Sequence, residues 1–177
     1  LNASVTSGAG TSMTKCNGKP SQTWHASVNG SVTNVQGAVT THDGCWEITG
    51  CSSATGAHIG IGYGCKNLPS PPTPASCAGS SKKCQCNGAW QVVKKSSSAA
   101  STYTISTIMD GHCLRVDGTN VDAAPCDATS SSQKWTVTPS ASHATDGTYT
   151  FSIDGQCVDS HVKAPPVGTD GLCLAVT

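Results

Sequence analysis

Hydrophobic and polar residues alternate in short runs along this chain, and the runs share a common punctuation. The run from Trp24 to Val28 is followed by Asn29-Gly30 and then by a second run from Ser31 to Val35. Later stretches place Tyr103 and Ile105, then Tyr149, Phe151 and Ile153, at every second position. A period of two sends successive side chains to opposite faces of an extended backbone, so each run predicts a strand with one face turned inward. Asn-Gly between two such runs predicts a tight hairpin, because both residues tolerate positive φ.

The runs belong to a repeat. Trp24, Trp90 and Trp135 precede Cys45, Cys113 and Cys157 by 21, 23 and 22 residues, a self-similarity that predicts several supersecondary units sharing one core. A second cysteine follows each of these at Cys65, Cys126 and Cys173, after 20, 13 and 16 residues. Gln22 and Gln133 stand two residues before their tryptophans, and Asn87 stands near Trp90. Each unit therefore reads as strand, loop, strand, then a hairpin that begins at the tryptophan. The three tryptophans are expected in the core, and the two glutamines are expected to hold backbone more readily than ligand.

Composition narrows the setting. The 177 residues are 36% hydrophobic with one Phe and two Met, so the core must come from Val, Ile, Leu, Trp and paired cysteines. Ten basic and ten acidic side chains cancel, and no basic run exceeds Lys82-Lys83 or Lys94-Lys95, which argues against a nucleic-acid partner. No apolar span is long enough for membrane insertion. Eleven cysteines with abundant Ser, Thr and Gly point to an oxidising, secreted or extracellular setting. Asn2 and Asn29 open glycosylation sequons that agree with it. The start at Leu1, without a signal peptide, reads as a processed protein or an excised domain.

The repeated Gly-x-Cys, with Leu114 and Val116 after Cys113, a second Cys126 and then Gln133 before Trp135, resembles the ricin-B-type β-trefoil lectins and related carbohydrate-binding modules. The match is best over residues 111 to 159 and extends with lower fidelity over the whole chain. The resemblance implies an all-β, disulfide-rich β-trefoil with pseudo-threefold symmetry, a single domain over 1–177, in which six strands close a small barrel and six form capping hairpins. Its units run over about 1–40, 41–108 and 109–153, with a terminal half-unit at 154–177. A Pro- and Cys-rich insert at 66–85 interrupts the middle unit, where Cys65 lies 25 residues before Trp90 instead of 8 or 9. It reads as a surface loop stapled by its own disulfides among Cys77, Cys84 and Cys86, with Cys51 involved. Cys45 is expected to pair with Cys65 and Cys113 with Cys126. The tail leaves two arrangements open: packed outside a complete fold, with Cys157 bonded to Cys173, or supplying an opening strand to the first unit, with Cys157 bonded to Cys16.

Relatives of this kind hold a sugar with a carboxylate two residues after the first cysteine, an aromatic ring two residues before the second, and an Asn or Gln near the tryptophan. The chemistry suits the task, since a carboxylate accepts two hydroxyl donors and a ring face attracts C–H groups. Carried onto this chain, the pattern makes Glu47, Tyr63 and Asn87 the expected sugar-binding set. Asp159, His161 and Gln22 are weaker candidates, because Gly171 replaces the ring in the tail and Thr14 replaces it in the first unit. Arg115 and Ala124 replace carboxylate and ring in the remaining unit, which is expected to be inactive.

The resemblance implies a non-catalytic lectin or carbohydrate-binding module for galactose-type sugars, binding glycans or glycoproteins and tethered to a parent such as a secreted glycoside hydrolase. The alternative is a disulfide-hardened structural protein of an extracellular coat or appendage, for which the odd cysteine offers an external bond. An enzyme is not expected, because the six histidines form no nucleophile elbow or metal-binding helix and a small trefoil lacks a deep cleft. No cofactor is expected. No metal is expected either, since Cys84 and Cys86 lack a zinc-like pairing.

Overall fold

A computed structural model of the chain describes residues 9–26, 34–37, 39–41, 44–62, 72–78, 84–95, 102–139 and 148–160. The fold of these residues is all-β, with one curled antiparallel sheet and short 3-10 turns between its strands. The strands are β1 (Ala9–Lys15), β2 (Trp24–Ala26), β3 (Asn34–Gly37), β4 (Val39–Thr41), β5 (Gly44–Ile48), β6 (Ala57–Gly62) and β7 (Trp90–Lys94). They continue as β8 (Tyr103–Thr107), β9 (Cys113–Asp117), β10 (Asn120–Ala124), β11 (Thr136–Pro139), β12 (Thr148–Ile153) and β13 (Gln156–Ser160).

Three strands that each run up to a second-cysteine position, β1, β6 and β10, pair with one another and so curl the sheet back on itself. Each also pairs with a strand that begins at or beside a first cysteine: β1 with β13, β6 with β5 and β10 with β9. Those cysteine strands pair in turn with β12, β4 and β8, which are the return strands of the tryptophan hairpins. The same set of contacts thus occurs at three places along the chain.

The core follows the same rule. Trp24, Trp90 and Trp135 are fully buried, and each indole Nε1–H donates to the carbonyl of the residue after a first cysteine: Val158 at 3.1 Å, Trp46 at 3.0 Å and Leu114 at 3.0 Å. A buried indole usually places its one donor on a partner, and these three bonds tie each hairpin to a cysteine strand of the curled sheet; the Nε1 of buried Trp46, by contrast, has no hydrogen-bond partner among the described residues. Trp46 stands where the other units have Leu114 and Val158. It packs against Trp24 at 4.9 Å and Phe151 at 5.0 Å between ring centroids, and edge-on to Trp90 at 6.1 Å. The repeat spacing does not single out Trp46, because it matches no tryptophan in the other units.

Turn chemistry divides the hairpins. Asp154 and Gly155, with φ of 50° and 75°, form a two-residue turn that sets Ile153 opposite Gln156. The pairing of positive φ values fits the right-handed strand twist. The Asn29-Gly30 signal does not dictate the register of its neighbours. A two-residue turn there would set Ala26 opposite residue 33, whereas Ala26 faces Val39 and His25 faces Thr40. The segment Asn34–Gly37 pairs instead with β7, so the connection from β2 to its return strand is long.

The tail takes the second of its two open arrangements. β13 lies along β1 from Thr11 opposite Ser160 to Lys15 opposite Gln156, and Cys157 is bonded to Cys16, 141 residues earlier. A bond from Cys157 to Cys173 is therefore excluded, and Cys173 itself lies outside the described residues. Cys113 is bonded to Cys126, Cys51 to Cys84 and Cys77 to Cys86. Cys45 is also disulfide-bonded, and Cys65, its expected partner, lies outside the described residues. The four bridges fit an extracellular protein.

Candidate functional site

β5 alternates cleanly: Trp46 and Ile48 are fully buried on one face, while Cys45 and the half-buried Glu47 share the other. Across the ladder Glu47 faces Gly60, and Cys45 faces Gly62. A Cβ built on Gly62 would overlap the Glu47 carboxyl group, so the side chain lies diagonally over that glycine. Long side chains reach the diagonal neighbour in an antiparallel pair, and a glycine leaves that place vacant. Asn87 follows the 3-10 turn Cys84–Cys86 and docks on the next residue of β5. Its N–H donor Nδ2 reaches the Ile48 carbonyl at 3.3 Å, and the Ile48 N–H returns a bond to the Asn87 carbonyl at 2.9 Å. Asn87 Oδ1 is buried without a hydrogen-bond partner. Glu47 and Asn87 are thus brought to adjacent residues of one strand, and Gly62 immediately precedes Tyr63. Tyr63 lies outside the described residues, as do His161 and the sequon residues Asn2 and Asn29.

Two disulfides support this corner. Cys51, on the 3-10 turn that continues β5, is bonded to Cys84, and Cys86 is bonded to Cys77. Together they clamp the segment that presents Asn87 to the end of the strand that presents Glu47.

The weaker candidates Asp159 and Gln22 also meet. Asp159 Oδ2 accepts from Thr14 Oγ1 at 3.0 Å and from Gln22 Nε2 at 3.1 Å. Gln22 is nearly fully buried, and its remaining bonds flank Cys16: Nε2 also donates to Thr14 Oγ1 and to the Lys15 carbonyl, and Oε1 accepts from the Asn17 N–H. Gln133 repeats this arrangement with the Pro125 carbonyl and the Asp127 N–H. Both glutamines hold backbone beside a second cysteine, and Gln22 alone also reaches a carboxylate. This meeting depends on β13 lying against β1, which linear spacing left open.

In the remaining unit Arg115 faces Asp122 directly and binds it with both arms, Nε to Oδ1 at 2.9 Å and a terminal nitrogen to Oδ2 at 2.6 Å. The Asp122 hydrogen bond raises the Arg115 pKa against the opposing effect of burial, and the Coulomb attraction of Asp122 and Asp117 adds to it. The carboxylate in this corner is consumed by an internal ion pair. Nearby, Asp110 accepts from Thr107 Oγ1 at 2.6 Å and the His112 N–H at 3.1 Å, and lies 3.0 Å from His112 Nδ1. Burial raises its pKa, but those hydrogen bonds, with one from Ser53, outweigh it and hold the carboxyl below its usual value.

A groove of about 510 Å³ lies elsewhere, between the outward side chains Gln91, Val93, Thr104 and Ser106 and the loop at Asp127 and Lys134. None of Glu47, Asn87 or Asp159 lines it. A shallow sugar contact needs no enclosed cavity, so the constellation of side chains and not the groove marks the candidate site. No family model and no curated protein matches the chain. Asp122 and Gly62 are the residues that motif reading missed; the signal available was their position on the strand facing the carboxylate slot.

Proposed function

We propose that this chain is a secreted, non-catalytic carbohydrate-binding module or lectin of ricin-B-like β-trefoil architecture, taking galactose-type sugars at Glu47, Tyr63 and Asn87. The supporting observation is the recurrence of one contact: an indole N–H bonded to the residue after a first cysteine, at Val158, Trp46 and Leu114. Beside it, Glu47 on β5 and Asn87, which is bonded to the backbone of the next β5 residue, Ile48, agree with the carboxylate and amide of a sugar site. The carboxylate accepts two neighbouring hydroxyls, and the Tyr63 ring stacks on the C–H face of the sugar. Asp159 with Gln22 and Thr14 forms a second, weaker locus. Glycans at Asn2 and Asn29 and a glycoside hydrolase parent belong to the same reading.

One shallow site of this kind binds at about 1 mM, and useful avidity comes from tethering. Titration with a galactoside should show such binding in the wild type and its loss in both Glu47→Gln and Tyr63→Ala. A wild type that binds no galactoside or wider glycan panel overturns the reading. The second reading, a coat or appendage protein, is favoured by the Cys16–Cys157 bridge that ties sequence-distant strands. A soluble monomer with no covalent partner counts against it.

A further inference from the structure

Glu47 is one methylene longer than the aspartate such a site ordinarily carries, and Asp159 occupies the matching position on β13. The residue facing Glu47 is Gly60, and the carboxyl group does not stand over it but runs diagonally onto Gly62. Gly62 has no positive φ, so its backbone is open to other residues; the atoms nearest to where a Cβ would stand are those of the Glu47 carboxyl group. Its other neighbour on that face, Cys45, is a fixed disulfide sulfur 3.4 Å from the Gly62 carbonyl oxygen. The carboxyl is therefore seated between a bridge that does not move and a glycine that does not obstruct.

We infer that Gly62 is a positioning residue for Glu47: the absent side chain lets the longer acid lie flat along β6. Glu47 and Gly62 form a matched pair, in which a Cβ at 62 lifts the glutamate and a shorter acid at 47 no longer needs the glycine. The inference rests on the sugar-binding reading for its consequence in affinity, and on the packing alone for its consequence in structure.

A double-mutant cycle tests it. Gly62→Ala should leave the melting temperature nearly unchanged, because the overlapping group is the end of a flexible side chain, yet weaken galactoside binding about tenfold by misplacing a charge-assisted acceptor. In the Glu47→Asp background the same alanine should change affinity by less than about twofold, since the retracted carboxyl leaves room for it. Equal losses in both backgrounds, or no loss in Gly62→Ala, overturn the inference. Carboxyl 13C NMR supplies a reading independent of sugar: Gly62→Ala should shift the Glu47 side-chain resonance and leave those of Asp110 and Asp159 in place. If the wild type binds no galactoside, the functional reading fails, while a moved Glu47 resonance still upholds the pairing and an unmoved one defeats it.

Discussion

The β5–β6 and β9–β10 pairs share one plan, a strand beginning at or beside a first cysteine against a strand that leads to a second, yet they carry opposite electrostatics. In β5–β6 an acid faces glycine and lies over another glycine. In β9–β10 a guanidinium fills the acid's position and is bound by both arms to Asp122 across the ladder. The backbone frame is common to both; the partner strand decides whether the side chain at this position lies over glycine or closes an ion pair across the ladder. The β13–β1 pair is intermediate, since Asp159 is present but shares one oxygen between Thr14 and Gln22.

The common frame is tested first. Trp90→Ala and Trp135→Ala should each lower stability by about 3–5 kcal/mol in urea unfolding, because each removes a fully buried ring and its bond to a cysteine strand of the sheet. Trp90 also loses its edge contact with Trp46, worth about 0.5–1.5 kcal/mol more. A cost below about 1 kcal/mol for either would show that the two pairs do not share one core.

The electrostatic contrast is tested next. Arg115→Ala leaves Asp122, whose side chain is 8% exposed, without its ion pair, while Arg115 itself is 28% exposed and partly screened by water. The expected loss is about 1–2 kcal/mol at neutral pH. A loss below about 0.3 kcal/mol would mean that Asp122 finds another partner.

The smallest effect belongs to Asp110, beside the β9–β10 pair. Its lowered pKa means that the folded state binds the proton less tightly than the unfolded chain. Its contribution is therefore complete above the ordinary carboxylate pKa and lost as pH falls through the folded value. Asp110→Asn should cost about 1 kcal/mol at neutral pH and flatten the acid limb of the stability curve. An unchanged acid limb would exclude Asp110 as a source of acid sensitivity.

Much of the fold was legible because its signals are local. Alternation places Tyr103, Ile105 and Thr107 inward on β8, as a period of two requires, and the short span from Cys113 to Cys126 suits a bridge across one strand pair. Glu47 and Asn87 were singled out by their distance from a cysteine and a tryptophan, and the galactoside titration tests that choice. Asn29 and Gly30 lie outside the described residues, and the register their signal implies is not the one β2 takes, because β2 pairs with β4. Gly62 carried no signal in the sequence, since what it contributes is the absence of a side chain beneath the Glu47 carboxyl group.

Residue order alone determined the repeat, the strand character and the burial of the three spaced tryptophans, because periodicity and the cost of a solvated indole act over a few residues. Tertiary structure alone decided that Cys157 joins Cys16, that Asp159 meets Gln22, that Trp46 centres the aromatic core and that Glu47 rests on Gly62. Each of these joins groups whose separation along the chain is fixed but whose distance in space is set by the curling of the sheet. That curl follows from how β1, β6 and β10 pair together, a property no single segment contains.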